Sequence, residues 1–113
     1  ESAQRGDAAG IQVFDEVDSG VGGETADHIG RAIAAIARER QVLCITHLAA
    51  IAAYADAHFV VHKLDEGDST RSIIERADRQ ARVAELARML TGQKVTRSSR
   101  KAAAELLAAS RAA

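Results

Sequence analysis

The alternation of short apolar runs with longer mixed segments predicts strands and helices in an α/β order. Residues 11–14 and 42–46 are short runs of mainly apolar residues with turn signals nearby, a pattern typical of buried strands. The segment between them, residues 24–40, reads as a helix because apolar residues recur at helical spacing. A strand, a helix and a second strand in this order predict a right-handed crossover with parallel strands. The residues that mark the helical stripe are Ile29, Ile33 and Ile36.

The second half of the chain predicts a hairpin followed by two helices. Residues 48–57 are rich in alanine and indicate a short helix, and residues 59–64 form a strand that 71–75 rejoins as a hairpin. Residues 79–90 make an amphipathic helix that stops near Gly92, and residues 98–112 make a final Ala/Leu helix. The expected packing face of the first of these helices consists of Val83, Leu86, Ala87 and Leu90.

These elements divide the chain into three stretches. Residues 1–10 form a polar loop, residues 11–76 hold the strands with their connections, and residues 77–113 hold the C-terminal helices. A central apolar strand occurs almost at once, with no earlier element to pair with it. We therefore expect the chain to be a piece of something longer.

The amino-acid composition narrows the possible classes of protein. With 113 residues the chain is one domain at most, and with 47% hydrophobic but 3% aromatic residues its core must be aliphatic. Its single cysteine, Cys44, permits no disulfide within the chain, which fits a reducing cytosol. No apolar run approaches the roughly 20 residues needed to span a bilayer.

The charge is unevenly distributed along the chain. Residues 1–70 carry five Lys and Arg against twelve Asp and Glu, a balance of −7, whereas residues 71–113 carry ten against four, a balance of +6. Two solvated faces of opposite sign are the preferred interpretation. A basic patch that approaches phosphate backbones is the alternative.

Candidate chemistry is concentrated where the first strand ends. Asp15 and Glu16 follow the apolar run directly, and a stretch with three glycines comes next. Ligands of parallel sheets lie outside the carboxyl ends of the strands, and because side chains alternate along a strand, the two carboxylates must serve different purposes. A solvated strand end is the plainer alternative. A Ca²⁺ loop fails because Val17 and Ala26 would occupy ligand positions.

His47 follows the second strand and therefore falls on the same edge of the sheet as the acid pair. A lone histidine is usually structural, but this placement makes His47 a candidate site residue. His58 and His62 are four residues apart near a strand, which is poor spacing for chelation. We expect both of them to be surface polar positions.

Three segments together resemble the C-terminal end of RecN, a bacterial family of recombinational DNA-repair ATPases related to the SMC proteins. They are residues 14–23 (FDEVDSGVGG), 41–48 (QVLCITHL) and 82–90 (RVAELARML) with Gly92. The first segment alone is typical of a Walker B strand that runs into a D-loop, as in any ABC or SMC protein. The resemblance covers residues 11–107 and implies the C-terminal part of an ABC-type P-loop NTPase head, a mostly parallel sheet flanked by helices.

The resemblance implies a role for each matching residue. Asp15 is similar to the Walker B aspartate that supports Mg²⁺ through water, and Glu16 to the glutamate that activates the attacking water. His47 resembles the H-loop histidine that contacts the γ-phosphate of ATP. The D-loop, which crosses to the opposite nucleotide in a head-to-head homodimer, corresponds to Ser19, Gly20, Gly22 and Gly23.

The departures from the family pattern also have consequences. Gly22 stands where most ABC proteins have an aspartate, and Ala49 and Ala50 stand where Pro-Gln is usual, which should loosen the helix after His47. A Walker A loop and an ABC signature are absent from the sequence. We therefore expect the chain to hydrolyse ATP only with the N-terminal Walker A part of the same protein, and to be inactive alone.

The resemblance also implies a setting and leaves alternatives open. The parent protein is expected in the bacterial cytoplasm, associated with the nucleoid, where it binds DNA and no membrane. A non-catalytic interaction or DNA-binding module is the alternative from a different class. Another ABC or SMC head is a second alternative, and a transporter subunit is less favoured because transporter cassettes usually read Asp-Glu-Pro-Thr-Ser at residues 15–19.

Overall fold

The computed structural model describes residues 10–15, 22–92 and 94–112. Over these residues four strands and four helices follow one another in the order β1, α1, β2, α2, β3, β4, α3 and α4. The strands are β1 (Ile11–Asp15), β2 (Gln41–Ile45), β3 (Phe59–Glu66) and β4 (Ser69–Arg76). The helices are α1 (Gly23–Ala37), α2 (Ala49–Ala52), α3 (Arg79–Thr91) and α4 (Arg97–Ala112).

β1 and β2 form a parallel pair, as the strand–helix–strand pattern predicts. The register joins Ile11 to Gln41 and Asp15 to Ile45, so the two strands end level with each other. The prediction that both strands are buried is wrong for the described chain. Ile11, Leu43 and Ile45 each keep 51% of their surface exposed, because the described helices leave that side of the pair uncovered.

β3 and β4 form the predicted hairpin, an antiparallel pair that runs from Phe59 opposite Arg76 to Glu66 opposite Ser69. Gly67 lies in the turn with φ of 69°, a left-handed conformation that favours glycine. The hairpin is longer than predicted, and its apolar side chains remain largely in contact with solvent. The exposed members are Phe59, Val61, Leu64 and Ile74.

The core lies where α2, α3 and α4 meet. Leu86 and Leu107 are its largest fully buried side chains, and small residues such as Ala53, Ala87 and Ala103 fill the space between them. Small side chains allow helices to approach closely, which compensates for the scarcity of aromatic residues. Together with the two strand pairs this arrangement confirms the α/β class.

Three details of the helices differ from the prediction. α1 ends at Ala37 instead of Arg40, and α2 spans four residues instead of ten. Leu90, expected on the packing face of α3, lies in the last turn of the helix and is 47% exposed. Within the described residues, no helix combines the length and apolar character that crossing a membrane requires.

α1 packs against the α2 segment through Gly30, which is buried. A Cβ atom built on Gly30 would lie 2.5 Å from Cδ2 of Tyr54 and 3.2 Å from the carbonyl oxygen of Ala50. The glycine is therefore required by the close approach of the two segments and not by its backbone conformation. At Gly23, on the same helix, an added Cβ meets nothing within 4 Å.

We expect Gly30→Ala to lower the free energy of unfolding by about 1–2 kcal/mol. Overpacking against the Tyr54 ring costs about 1–3 kcal/mol, which outweighs the roughly 1 kcal/mol that alanine contributes to helix propensity. Urea denaturation followed by circular dichroism measures the change. Gly23→Ala is the matched control and should not destabilise the fold, and equal stability of the two variants would contradict the packing argument.

Candidate functional site

Asp15 and His47 lie at the same end of the parallel strand pair. Asp15 is the last residue of β1 and is paired in register with Ile45, the last residue of β2, and His47 follows two positions later. Asp15 is half-buried and His47 is exposed. The topology therefore places two of the predicted site residues, Asp15 and His47, at the same edge of the strand pair. A carboxylate at such an edge can bind a cation, and an imidazole can donate a hydrogen bond to a phosphate oxygen.

The chain after β2 turns sharply, and this turn presents His47. The backbone N–H of Leu48 donates a hydrogen bond of 3.0 Å to the side-chain oxygen of Thr46. Leu48 is extended and precedes the one-turn helix α2, whose first residue, Ala49, is only 5% exposed. The backbone of His47 is thus held between a hydrogen-bonded turn and a buried residue.

The beginning of α1 supplies the described part of the glycine-rich stretch. Gly22 is the residue that precedes the helix, and its carbonyl oxygen accepts a 2.8 Å hydrogen bond from the N–H of Ala26. Gly22 and Gly23 are exposed, and neither is needed for packing within the described residues. Three other predicted site residues, Glu16, Ser19 and Gly20, lie outside the described residues.

A buried arginine holds the far end of the α2 segment. Arg82 of α3 is 5% exposed, and its guanidinium donates hydrogen bonds to the backbone oxygens at the end of α2. Charged donors make the stronger hydrogen bonds in proteins. These hydrogen bonds cap the carbonyl groups at the end of α2, and the Ala52 oxygen also accepts a backbone hydrogen bond from Ala55. The accepting oxygens belong to Ala52, Ala53 and Ala55.

Sequence reasoning missed Arg82, although the sequence carries a signal for it. Arg82 precedes Leu86 by four residues, so both lie on the same face of α3 as the core. Burial and the positive charge of Arg111 lower the pKa of Arg82, and Asp56 opposes this change. An arginine on an apolar stripe can indicate a buried cap for backbone carbonyl groups.

Tyr54 holds the α2 segment from the opposite side. Its hydroxyl donates a 2.6 Å hydrogen bond to Asp27 of α1, and Arg31 donates to the other oxygen of the same carboxylate at 3.3 Å. The hydrogen bond to Asp27, together with burial, raises the pKa of Tyr54. The segment that follows His47 is therefore tied to α1 through Tyr54 and to α3 through Arg82.

The side chains at the edge that holds Asp15 and His47 indicate which metal ion could bind there. Among the described residues there is no group of three His, Cys, Asp or Glu side chains placed to hold a metal ion. A site that supplies one carboxylate fits Mg²⁺, which commonly keeps several waters and takes its other ligands from phosphates. Asp15, at the end of a strand, is such a carboxylate.

His58 differs from the surface position that the sequence predicted. It is half-buried, and its Nδ1 is buried without a hydrogen-bond partner among the described residues. Burial is the main cause that lowers the pKa of His58, the positive charge of Arg82 lowers it further, and Glu85 opposes both. His62 is exposed as predicted and lies 3.7 Å from a carboxylate oxygen of Glu75.

The architecture is of the predicted α/β class, with short paired strands, flanking helices and a helical C-terminus. Comparison with known proteins identifies the particular family. The chain is 47% identical over 100 residues to the DNA repair protein RecN of Streptomyces coelicolor and 52% identical over 105 residues to that of Mycobacterium leprae. It is 45% identical over 103 residues to the DNA repair protein RecN of Treponema pallidum.

These alignments cover 88%, 92% and 91% of this chain, respectively, but 18% of each relative. The chain thus spans about a fifth of the length of the curated relatives it matches. No family model matches the chain. The resemblance predicted from residues 11–107 is confirmed, and the chain corresponds to the C-terminal region of RecN.

We expect Arg82→Ala to lower the free energy of unfolding by about 2–4 kcal/mol, because it removes the charged hydrogen bonds that join α3 to backbone carbonyl groups of the α2 segment. Chemical denaturation measures the loss. Arg79→Ala, an exposed arginine one turn earlier on α3, is the matched control and should change stability by no more than about 0.5 kcal/mol. A loss of the same size in both variants would refute the capping role.

Lowering the pH should destabilise the fold through His58. Because the pKa of His58 is lowered in the folded state, the unfolded chain takes up a proton first, and stability falls as the pH drops below the unfolded value of about 6.5. Denaturation of the chain and of His58→Gln at about pH 7.5 and about pH 5.5 tests this.

The glutamine variant should lose less stability over that interval than the unaltered chain. Glu85, whose pKa is lowered by Arg88, contributes only at lower pH, near the ordinary carboxylate range of about 4.3. His62→Gln is the control for the loss of an exposed imidazole. A pH dependence that His58→Gln leaves unchanged would contradict the assignment.

Proposed function

We propose that this chain is the Walker B, D-loop and H-loop part of a RecN-type ATPase head that acts in the repair of DNA double-strand breaks by recombination. Its relatives are named DNA repair proteins, and their similarity extends over about nine tenths of the chain. The observation that carries the proposal is the parallel pair of β1 and β2, whose level ends place Asp15 and His47 on one edge.

On this proposal Asp15 is the carboxylate that supports Mg²⁺, mostly through water. Its place at the carboxyl end of a parallel strand is where α/β sheets bind ligands. Held there, Mg²⁺ would supply positive charge that offsets the negative charge developing on the phosphate oxygens during transfer. The carboxylate of Asp15 contributes by orienting the hydration shell of that ion.

In this proposal Glu16 acts on the attacking water and His47 acts on the γ-phosphate. Glu16 directly follows Asp15 in the sequence and accepts a proton from the attacking water, or orients it, as general bases do. His47 donates a hydrogen bond to an oxygen of the γ-phosphate. The exposure of His47 just after the end of β2 supports this role, since such a donor must lie where a ligand can approach it.

The proposed partners follow from what the chain leaves uncovered. Ile11, Leu43 and Ile45 expose apolar surface on one side of the strand pair, as expected if the N-terminal Walker A part of the same protein packs there. Residues Ser19 to Gly23 cross to the opposite nucleotide in a head-to-head homodimer. The assembled protein binds ATP and DNA in the bacterial cytoplasm, at the nucleoid.

The test is ATP hydrolysis by the chain, alone and mixed with an N-terminal part that bears the Walker A and signature motifs. We expect no turnover by the chain alone and Mg²⁺-dependent turnover by the mixture. Glu16→Gln should lower the turnover of the mixture by about 100-fold or more, because proton transfer by a positioned base contributes that much. His47→Ala should lower it by about 10²-fold through loss of an electrostatic contact.

Two matched substitutions control for folding and surface charge. Glu75→Gln and His62→Ala alter exposed residues of the hairpin and should leave the turnover of the mixture unchanged. ATP turnover by the chain alone, abolished by Glu16→Gln, would contradict the proposal that hydrolysis requires the N-terminal part. A well-folded mixture without activity would instead support the non-catalytic interaction module.

A further inference from the structure

The exposed face of α4 carries a stripe of four positive charges. At 3.6 residues per turn, these residues fall within about 100° of the helix circumference and extend over about 21 Å of its length. All four are exposed, whereas Ala103 and Leu107 on another face are buried in the core. The stripe, here called the α4 basic stripe, consists of Arg97, Arg100, Lys101 and Arg111.

Helix stability does not explain the stripe. Arg97, Arg100 and Lys101 fall within the first five residues of α4, where the helix dipole disfavours cations, and no acidic residue lies in the first turn. The backbone there is already capped by Thr96 and Ser99, whose side chains accept hydrogen bonds from each other's N–H groups at 3.0 and 2.7 Å. Three of the four charges are therefore placed against the preference of the helix, whereas Arg111 lies in the last turn, where a cation is favoured.

The positive charges of the stripe are also not neutralised within the described chain. The ion pairs found among the described residues involve Arg31, Arg71, Arg88 and His62, and none includes a member of the stripe. Glu105 is the one carboxylate of α4, against the four cations of the stripe. An external anion is the partner that this charge distribution suits.

Small side chains lie between the charges, which favours one class of anion. Ala104 and Ala108 occupy the middle of the stripe, so an extended phosphate backbone can approach the helix closely while the long basic side chains reach around it. A membrane-binding helix would instead expose large apolar residues beside its charges, but the leucine of α4 that is fully buried, Leu107, faces the core. The 21 Å length corresponds to about six base pairs of duplex.

We propose that the α4 basic stripe binds the phosphodiester backbone of duplex nucleic acid. The contact is to phosphates, so it gives affinity without sequence preference. It lies on a different element from the Asp15 and His47 edge. Although a role in DNA repair rests on the proposed function, the interface can fail or succeed independently of ATP hydrolysis.

The test is fluorescence anisotropy of a short labelled duplex DNA titrated with the chain at about 50 to 200 mM salt. Each phosphate contact contributes about 0.9 to the slope of log affinity against log salt, so Arg100→Gln/Lys101→Gln should reduce the slope by about 1.8. The same variant should weaken binding by about tenfold or more at the lower salt concentration. Circular dichroism verifies that each variant keeps its helices.

The matched control is Lys63→Gln/Arg71→Gln, which removes two positive charges from the exposed hairpin and should bind DNA as the unaltered chain does. If both double variants weakened DNA binding equally, binding would depend only on the net charge of the chain, and the proposal would be wrong. Absence of binding by a helical chain would overturn it as well. Stronger binding to phosphatidylserine vesicles than to duplex would assign the stripe to a membrane and also refute it.

If the chain by itself lacks helical structure, the same comparison is made after mixing with the N-terminal part of the head. In that assembly, loss of DNA binding in Arg100→Gln/Lys101→Gln with unchanged ATP turnover supports the interface. Glu16→Gln should abolish ATP turnover and leave DNA binding unchanged. The two measurements therefore test the proposed function and the DNA interface separately.

Discussion

The hydrogen bonds from Arg82 to the carbonyl oxygens at the end of α2 are the interaction on which the described structure depends. A guanidinium that is 5% exposed must be compensated, and the backbone of the α2 segment supplies the acceptors. The same hydrogen bonds join the end of α2 to α3. Since α3 in turn packs on α4, one side chain links three helices around a core of leucine and alanine.

This arrangement matters for the candidate site because His47 lies at the start of the same short segment. Thr46 fixes the turn before α2, and Tyr54 and Arg82 fix the chain after it. The hydrogen bonds of this segment therefore connect the edge that holds Asp15 and His47 to the helical half of the chain. A loop with so little regular structure keeps its position because polar groups on both neighbouring helices bind it.

The described chain presents two kinds of surface that its own residues leave unpartnered. One is apolar, on the strand pair and the hairpin, where Leu43, Ile45 and Ile74 expose about half or more of their surface. The other is the α4 basic stripe. In the proposals above, the N-terminal part of the same protein covers the first surface and a phosphate backbone binds the second, which fits a chain that spans about a fifth of the length of its relatives.

The sequence by itself determined the order of the elements, the parallel pairing of β1 and β2, the hairpin and the family resemblance. Each of these follows from local periodicity, turn residues or short motifs, which the chain carries wherever it folds. Only the tertiary structure decided that α2 is a single turn, that Arg82 is buried and His58 half-buried, and that Gly30 is needed for contact with Tyr54. Those features depend on what a distant segment places against each residue. Arg82 shows the reason most clearly, because a charged side chain of α3 can be buried only where backbone oxygens of the α2 segment accept its hydrogen bonds.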